Sequence, residues 1–93
     1  MKNEEKNMEN VPYIVLRRID CNEQKAKDGS TYYMFSGLMQ GKNRIDLVTF
    51  YTRDKDLYAD ILAIPLNKEF KLYYELNYSQ TNGFRVVPIA SSL

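Results

Sequence analysis

The hydrophobic period changes twice along this chain, from two to that of a helix and back, and this order limits the folds open to it. The segment PYIVLRRIDCNEQKAK (12–27) begins β-branched and apolar and turns polar, the mark of a long first strand. Asp28, Gly29 and Ser30 make a turn, since Asp28 can bond its own backbone and Gly29 tolerates positive φ. STYYMFSGLMQ (30–40) reads as a second strand, and Gly37 inside it predicts a bulge or a sharp coil. After the turn GKN, RIDLVTFYT (44–52) alternates Ile45, Leu47 and Thr49 with Asp46, Val48 and Phe50, a third strand.

Between Asp54 and Ile64 the period lengthens. Leu57, Tyr58, Ile61 and Leu62 form one stripe of a short helix, with Asp54 as N-cap, Asp56 in the first turn and Pro65 as terminator. KEFKLYYELNYSQ (68–80) returns to alternation, with Phe70, Leu72, Tyr74, Leu76 and Tyr78 on the side expected to be core. Asn82-Gly83 marks a hairpin, and FRVVPIASSL (84–93) is a fifth strand, whose Pro88 requires an edge or a bulge.

Ninety-three residues allow one domain with a modest core. Three strands, a helix and two strands are the order of an OB-fold, so the expected architecture is mainly β: a five-stranded Greek-key barrel over residues 11–93, with the helix between strands three and four. A different small mixed sheet could carry the same string. Residues 1–10, MKNEEKNMEN, lack periodicity and read as a disordered tail without the features of a secretory signal. No apolar run approaches the twenty residues of a membrane span, so no membrane partner is expected. Cys21 is the only cysteine and histidine is absent, which excludes an internal disulfide, argues against the usual zinc ligand sets and fits a reducing cytoplasm.

The formal net charge is +1, and because Lys2 and Lys6 face Glu4, Glu5 and Glu9 in the tail, residues 11–93 hold +2. Arg17, Arg18, Lys25 and Lys27 gather in the first third, and Asp54, Asp56 and Asp60 gather later. Such polarity can present a basic face to phosphates, or it can be a solvated mixture.

Eight tyrosines, most of them in strands near Lys or Arg, sharpen the first option, because an exposed ring is a platform for a base. Tyrosine also fills small β cores, so the faces decide. Alternation assigns Tyr74 and Tyr78 to the core, the helix period assigns Tyr58, and the apolar series Tyr33, Phe35, Gly37 and Met39 favours Tyr33 inward and Tyr32 outward. Tyr51, beside Arg53, and Tyr73, beside Lys71, read as exposed; Tyr13 is undecided. On an OB-fold the loop Asn22 to Ser30, with Lys25 and Lys27, and the hairpin at Asn82-Gly83 would flank the binding groove. The candidate nucleic-acid contacts are therefore the rings of Tyr32, Tyr51 and Tyr73 and the cations Arg17, Arg18, Lys25, Lys27, Arg44, Arg53, Lys71 and Arg85. Arg17 and Arg18 would point to opposite faces of a regular strand, leaving one solvated or paired with Asp20 or Asp46.

Gly29 and Tyr32 opening the second strand, the linker with Tyr58, the alternating strand ending in Tyr78 and the run Asn82-Gly83-Phe84-Arg85-Val86-Val87-Pro88 together resemble the small single-stranded DNA-binding proteins of filamentous phages and, more broadly, phage and mobile-element OB-fold proteins. The resemblance covers about two-thirds of the chain, from Asp28 to Pro88. It implies a homodimer that coats single-stranded DNA cooperatively in replication or transfer, with Tyr32 stacking and Arg85 near the backbone, inside a bacterial or phage-infected cell. The charged N-terminal extension and the helical linker depart from that pattern. The linker is also similar to that of the larger bacterial single-strand-binding and primosomal proteins, but the acidic C-terminal tip of the former is missing from Ala90-Ser91-Ser92-Leu93.

An enzyme is not expected. There is no histidine to act as a base and no Gly-rich phosphate loop, and Asp54, Asp56 and Asp60 suit helix capping and a solvated face better than a magnesium site. No cofactor or small-molecule substrate is implied. The competing readings are RNA binding by the same surface and a protein-interaction or structural module whose exposed aromatics meet a partner.

Overall fold

The computed structural model describes residues 10–93, so the tail reading falls outside the described residues except at Asn10, which is exposed. Within that span lie strands β1 (Tyr13–Lys25), β2 (Thr31–Gln40) and β3 (Ile45–Thr52), helix α1 (Lys55–Leu62), and strands β4 (Glu69–Ser79) and β5 (Gly83–Ser92). Every pairing among them is antiparallel, and the strands form one sheet in the order β3-β2-β1-β4-β5. The protein is thus mainly β, with one five-stranded sheet and one short helix.

The sheet is not closed. A complete barrel was expected, yet β3 and β5 are its two edges and no ladder joins them among the described residues. No helix among the described residues is long and apolar enough to cross a membrane.

The core forms where the inward rows of β1, β2, β3 and β4 meet the apolar stripe of α1. Leu16, Phe35, Phe50, Phe70 and Leu72 come from strands, Leu57 and Ile61 from the helix, and Ile64 from the turn after it. Phe35 and Phe50 are directly paired across β2 and β3 and stack at 5.4 Å. Burying each such side chain contributes about 1.5–3 kcal/mol before the cost of ordering the chain. Asp54 caps α1 as its sequence position predicts, its carboxylate accepting from the amides of Asp56 at 3.0 Å and Leu57 at 3.1 Å.

Gly37 serves a different purpose from the bulge its position suggests. It stays in register with both neighbours, and the irregularity lies opposite, in β1 between Arg18 and Cys21. A Cβ on Gly37 would stand 2.9 Å from Leu16 Cβ and 3.1 Å from the Arg17 carbonyl oxygen, so the residue is small because β1 crosses closely there. Pro88 sits, as expected, on an edge strand beside a bulge, where the β4–β5 register shifts after Tyr73.

The pairing of β1 with β4 ends at Tyr13 opposite Tyr73, and the Tyr74 amide donates to the Pro12 carbonyl. Beyond that point β4 and β5 continue as a two-stranded ribbon. Alternation assigns Phe70, Leu72, Leu76 and Tyr78 to one side, but their burial diverges: Phe70 and Leu72 are 2% and 0% exposed, Leu76 and Tyr78 57% and 63%. Tyr74, at the register shift between the two pairs, is half-buried. Tyr78 is therefore not a core residue. The inward face outruns the layer that covers it.

Candidate nucleic-acid interface

The open seam between the edges is a cleft of about 610 Å³, walled by Thr49 to Arg53 of β3 and its end, Arg85 to Pro88 of β5, and Tyr32. Register explains the convergence. Tyr51 stands opposite Met34, so Tyr32, two residues along β2, is its diagonal neighbour, within the reach of large rings. Their centroids lie 6.0 Å apart and are tilted by 53°. Arg53 follows the Tyr33–Thr52 pair and lies over Tyr32, its guanidinium carbon 5.8 Å from the ring centroid.

Arg53 is held by the β1–β2 turn. Its Nη1 donates to Ser30 Oγ at 2.9 Å and to the Thr31 carbonyl at 3.3 Å. Ser30 in turn donates from both its hydroxyl and its amide to Asp28, at 2.6 and 2.9 Å, and Gly29 turns the corner at a φ of 89°. Those two hydrogen bonds, with Arg53 nearby, hold the Asp28 carboxyl below its ordinary value. Arg85 closes the cleft from the β5 side. Among the described residues no carboxylate lines this space, so two guanidinium groups, two exposed or half-exposed phenol rings and the Thr hydroxyls set its chemistry.

Comparison of the chain with protein families, with curated proteins and with solved structures found no match.

Four of the residues singled out from sequence therefore share one site: Tyr32, Tyr51, Arg53 and Arg85. Two others meet elsewhere. Tyr73 packs on Tyr13 at 5.6 Å, and the Lys71 ammonium lies 4.9 Å from the Tyr13 centroid, forming a separate aromatic group on the outward row of β1 and β4. The remaining cations do not join either group. Arg17 lies opposite Leu38 and Glu69 beside a hollow of about 130 Å³. Arg44 makes a bidentate pair with Asp46 at 2.8–3.1 Å beyond the β2–β3 turn. Lys25 donates to Thr31 at 2.9 Å, and Lys27 is exposed in the β1–β2 turn.

Arg18 is engaged in holding the fold. Its guanidinium donates to the Ile19 carbonyl at 3.0 Å and to the Leu62 carbonyl at 3.3 Å, the latter among the carbonyls that a helix end leaves without intrahelical partners. Arg18 also lies beside Cys21, whose thiol is pushed up chiefly by burial. Of the inward tyrosines, Tyr33 is half-buried and stacks on Tyr58 at 4.5 Å, which makes Tyr32 the outward member of the pair. Burial raises the Tyr58 phenol.

Sequence reasoning missed the part played by Thr49, Phe50, Val86 and Pro88 in lining the cleft, and by Ser30 in fixing Arg53. Thr49 shares the row of Tyr51 and could have been found by alternation. Val86 and Pro88 could not, because they reach the site only through the approach of β5 to β3.

Proposed function

We propose that this chain binds single-stranded DNA without strong sequence preference, acting as a binding protein and not as an enzyme. The supporting observation is the convergence of Tyr32, Tyr51, Arg53 and Arg85 on one cleft whose described walls carry no carboxylate. The rings offer faces on which bases of any identity can stack, worth about 1–3 kcal/mol per base. The guanidinium groups supply phosphate contacts that release counterions.

The strand order favours an OB-type reading of the fold. Closing β3 onto β5 would turn this sheet into the five-stranded barrel of that class, which is itself often partly open. The binding surface would then lie where that class of fold carries it, on β2 and β3 near the β1–β2 turn. A role in replication or transfer of a phage or mobile element follows from the phage-like resemblance.

Titration of fluorescent oligo-dT, oligo-rU and duplex DNA at two salt concentrations tests the proposal. Oligo-dT should bind at low salt and weaken as salt rises, by a log–log slope of roughly −1.4 for two phosphate contacts. Tyr51→Ala should weaken binding by about tenfold or more, and Arg85→Ala should flatten the slope. Absence of oligo-dT binding at low salt overturns the reading, and preference for oligo-rU reassigns the same surface to RNA.

A further inference from the structure

The two edges of the sheet are protected unequally. β5 carries Arg85, Pro88 and a register shift, devices that keep an edge from pairing with a stray strand. β3 has none of these. It pairs with β2 from Ile45 to Thr52 without a shift, and it holds no lysine, arginine or proline.

Hydrogen-bond alternation fixes what that edge offers. The Gly41 amide donates to the Arg44 carbonyl, so Asp46, Val48 and Phe50 turn their backbone groups toward β2, and Ile45, Leu47, Thr49 and Tyr51 turn theirs to the free side. No strand pairs with that side among the described residues. The side chains of Ile45 and Leu47 are 59% and 60% exposed, so an apolar row flanks the unpaired backbone.

We infer that β3 accepts an extended peptide segment of another protein as an added strand, antiparallel to it, with apolar residues at alternate positions and an acidic N-terminal end. Main-chain bonds at Ile45, Leu47 and Thr49 hold the segment, and the antiparallel ladder is the stronger of the two. Charge selects the occupant. In this direction the segment's N-terminal end lies beside the end of β3, at the cleft where Arg53 and Arg85 stand and no carboxylate is among the described lining residues. A second copy fits worse, because an antiparallel β3 brings its own Lys42 and Arg44 toward that same end.

The pairing needs no nucleic acid. Ile45 and Leu47 lie outside the cleft, and only the acidic end of the segment meets its two guanidinium groups, so a bound segment and a phosphate compete at that one point.

Amide hydrogen exchange with a short acetylated probe peptide, two glutamates followed by alternating threonine and valine, provides the test. In the protein alone the Ile45 and Leu47 amides should exchange quickly and those of Asp46 and Val48 slowly, and millimolar probe should slow Ile45 and Leu47 roughly tenfold. A peptide with lysines in place of the glutamates should bind more weakly. Leu47→Pro removes an amide that β2 does not use, so the variant should keep its circular dichroism while its affinity for the probe falls roughly tenfold or more. The wild-type exchange measurement decides the matter if that variant fails to fold. No slowing at Ile45 and Leu47 overturns the inference, as does equal binding of the lysine peptide or full affinity in a folded Leu47→Pro. Slowing that grows with protein concentration in the absence of probe, together with a doubled mass, gives the edge to a second copy and also overturns it. No oligonucleotide is present, so failure of DNA binding and failure of strand addition are separate results.

Discussion

The two halves of β4 carry one alternating pattern and meet opposite fates. Phe70 and Leu72, on the part of β4 paired with β1, pack in the core with Leu57 and Ile61 of α1, while Leu76 and Tyr78 lie in the ribbon beyond that pairing. The difference teaches that alternation specifies a face, whereas burial is set by whichever other element reaches that face. Here the pairing with β1 stops at Tyr13 and Pro12.

The largest expected effect breaks the comparison at its centre. Leu72→Ala should cost about 2–5 kcal/mol in urea unfolding, the price of a cavity in a packed core. Leu76→Ala, measured in dilute monomer, should cost within about 0.5 kcal/mol. Similar losses at both positions would mean that the ribbon is covered within a single chain.

A smaller contrast concerns glycines in the two regions. Gly37→Ala forces a methyl group against Leu16 and the Arg17 carbonyl and should cost about 1–3 kcal/mol through overpacking. Gly83→Ala meets open space, and its penalty comes only from a φ of 75°, about 1–2 kcal/mol. Thermal melts separate these causes when asparagine is tried at each position as well. Asparagine tolerates positive φ better than alanine does, so Gly83→Asn should recover part of the penalty, whereas Gly37→Asn should recover nothing.

The smallest effect sharpens the boundary between the halves. Asp54→Ala removes the cap of α1 and should cost about 1 kcal/mol. Native-state hydrogen exchange should show faster opening in α1 and in the strands beneath it, with the ribbon amides of residues 75–87 unchanged. Parallel acceleration of the ribbon would show that the two halves unfold as one unit.

Much of the fold was legible because its signals are local. The Asp28-Gly29-Ser30 turn, the Asp54 cap, the Pro88 bulge and the period change between β3 and β4 each depend on neighbours in sequence. What could not be read depends on distant approach: the uncovered ribbon, the tight crossing that makes Gly37 necessary, and the separation of β3 from β5. The candidate site divides the same way. Tyr32, Tyr51 and Arg53 meet through the short β2–β3 register and were foreseeable, whereas Arg18 is drawn away to Leu62, 44 residues along the chain.

The link from Arg53 to Ser30 has a bearing on how tightly and how selectively the cleft can hold a ligand. A free arginine side chain surrenders about 2 kcal/mol of rotamer entropy when a ligand fixes it. Arg53 has already lost part of that freedom to the β1–β2 turn and to the ring of Tyr32. If the cleft binds phosphate as proposed, Ser30, which need never touch the ligand, would by restraining Arg53 help to determine how long the ligand stays.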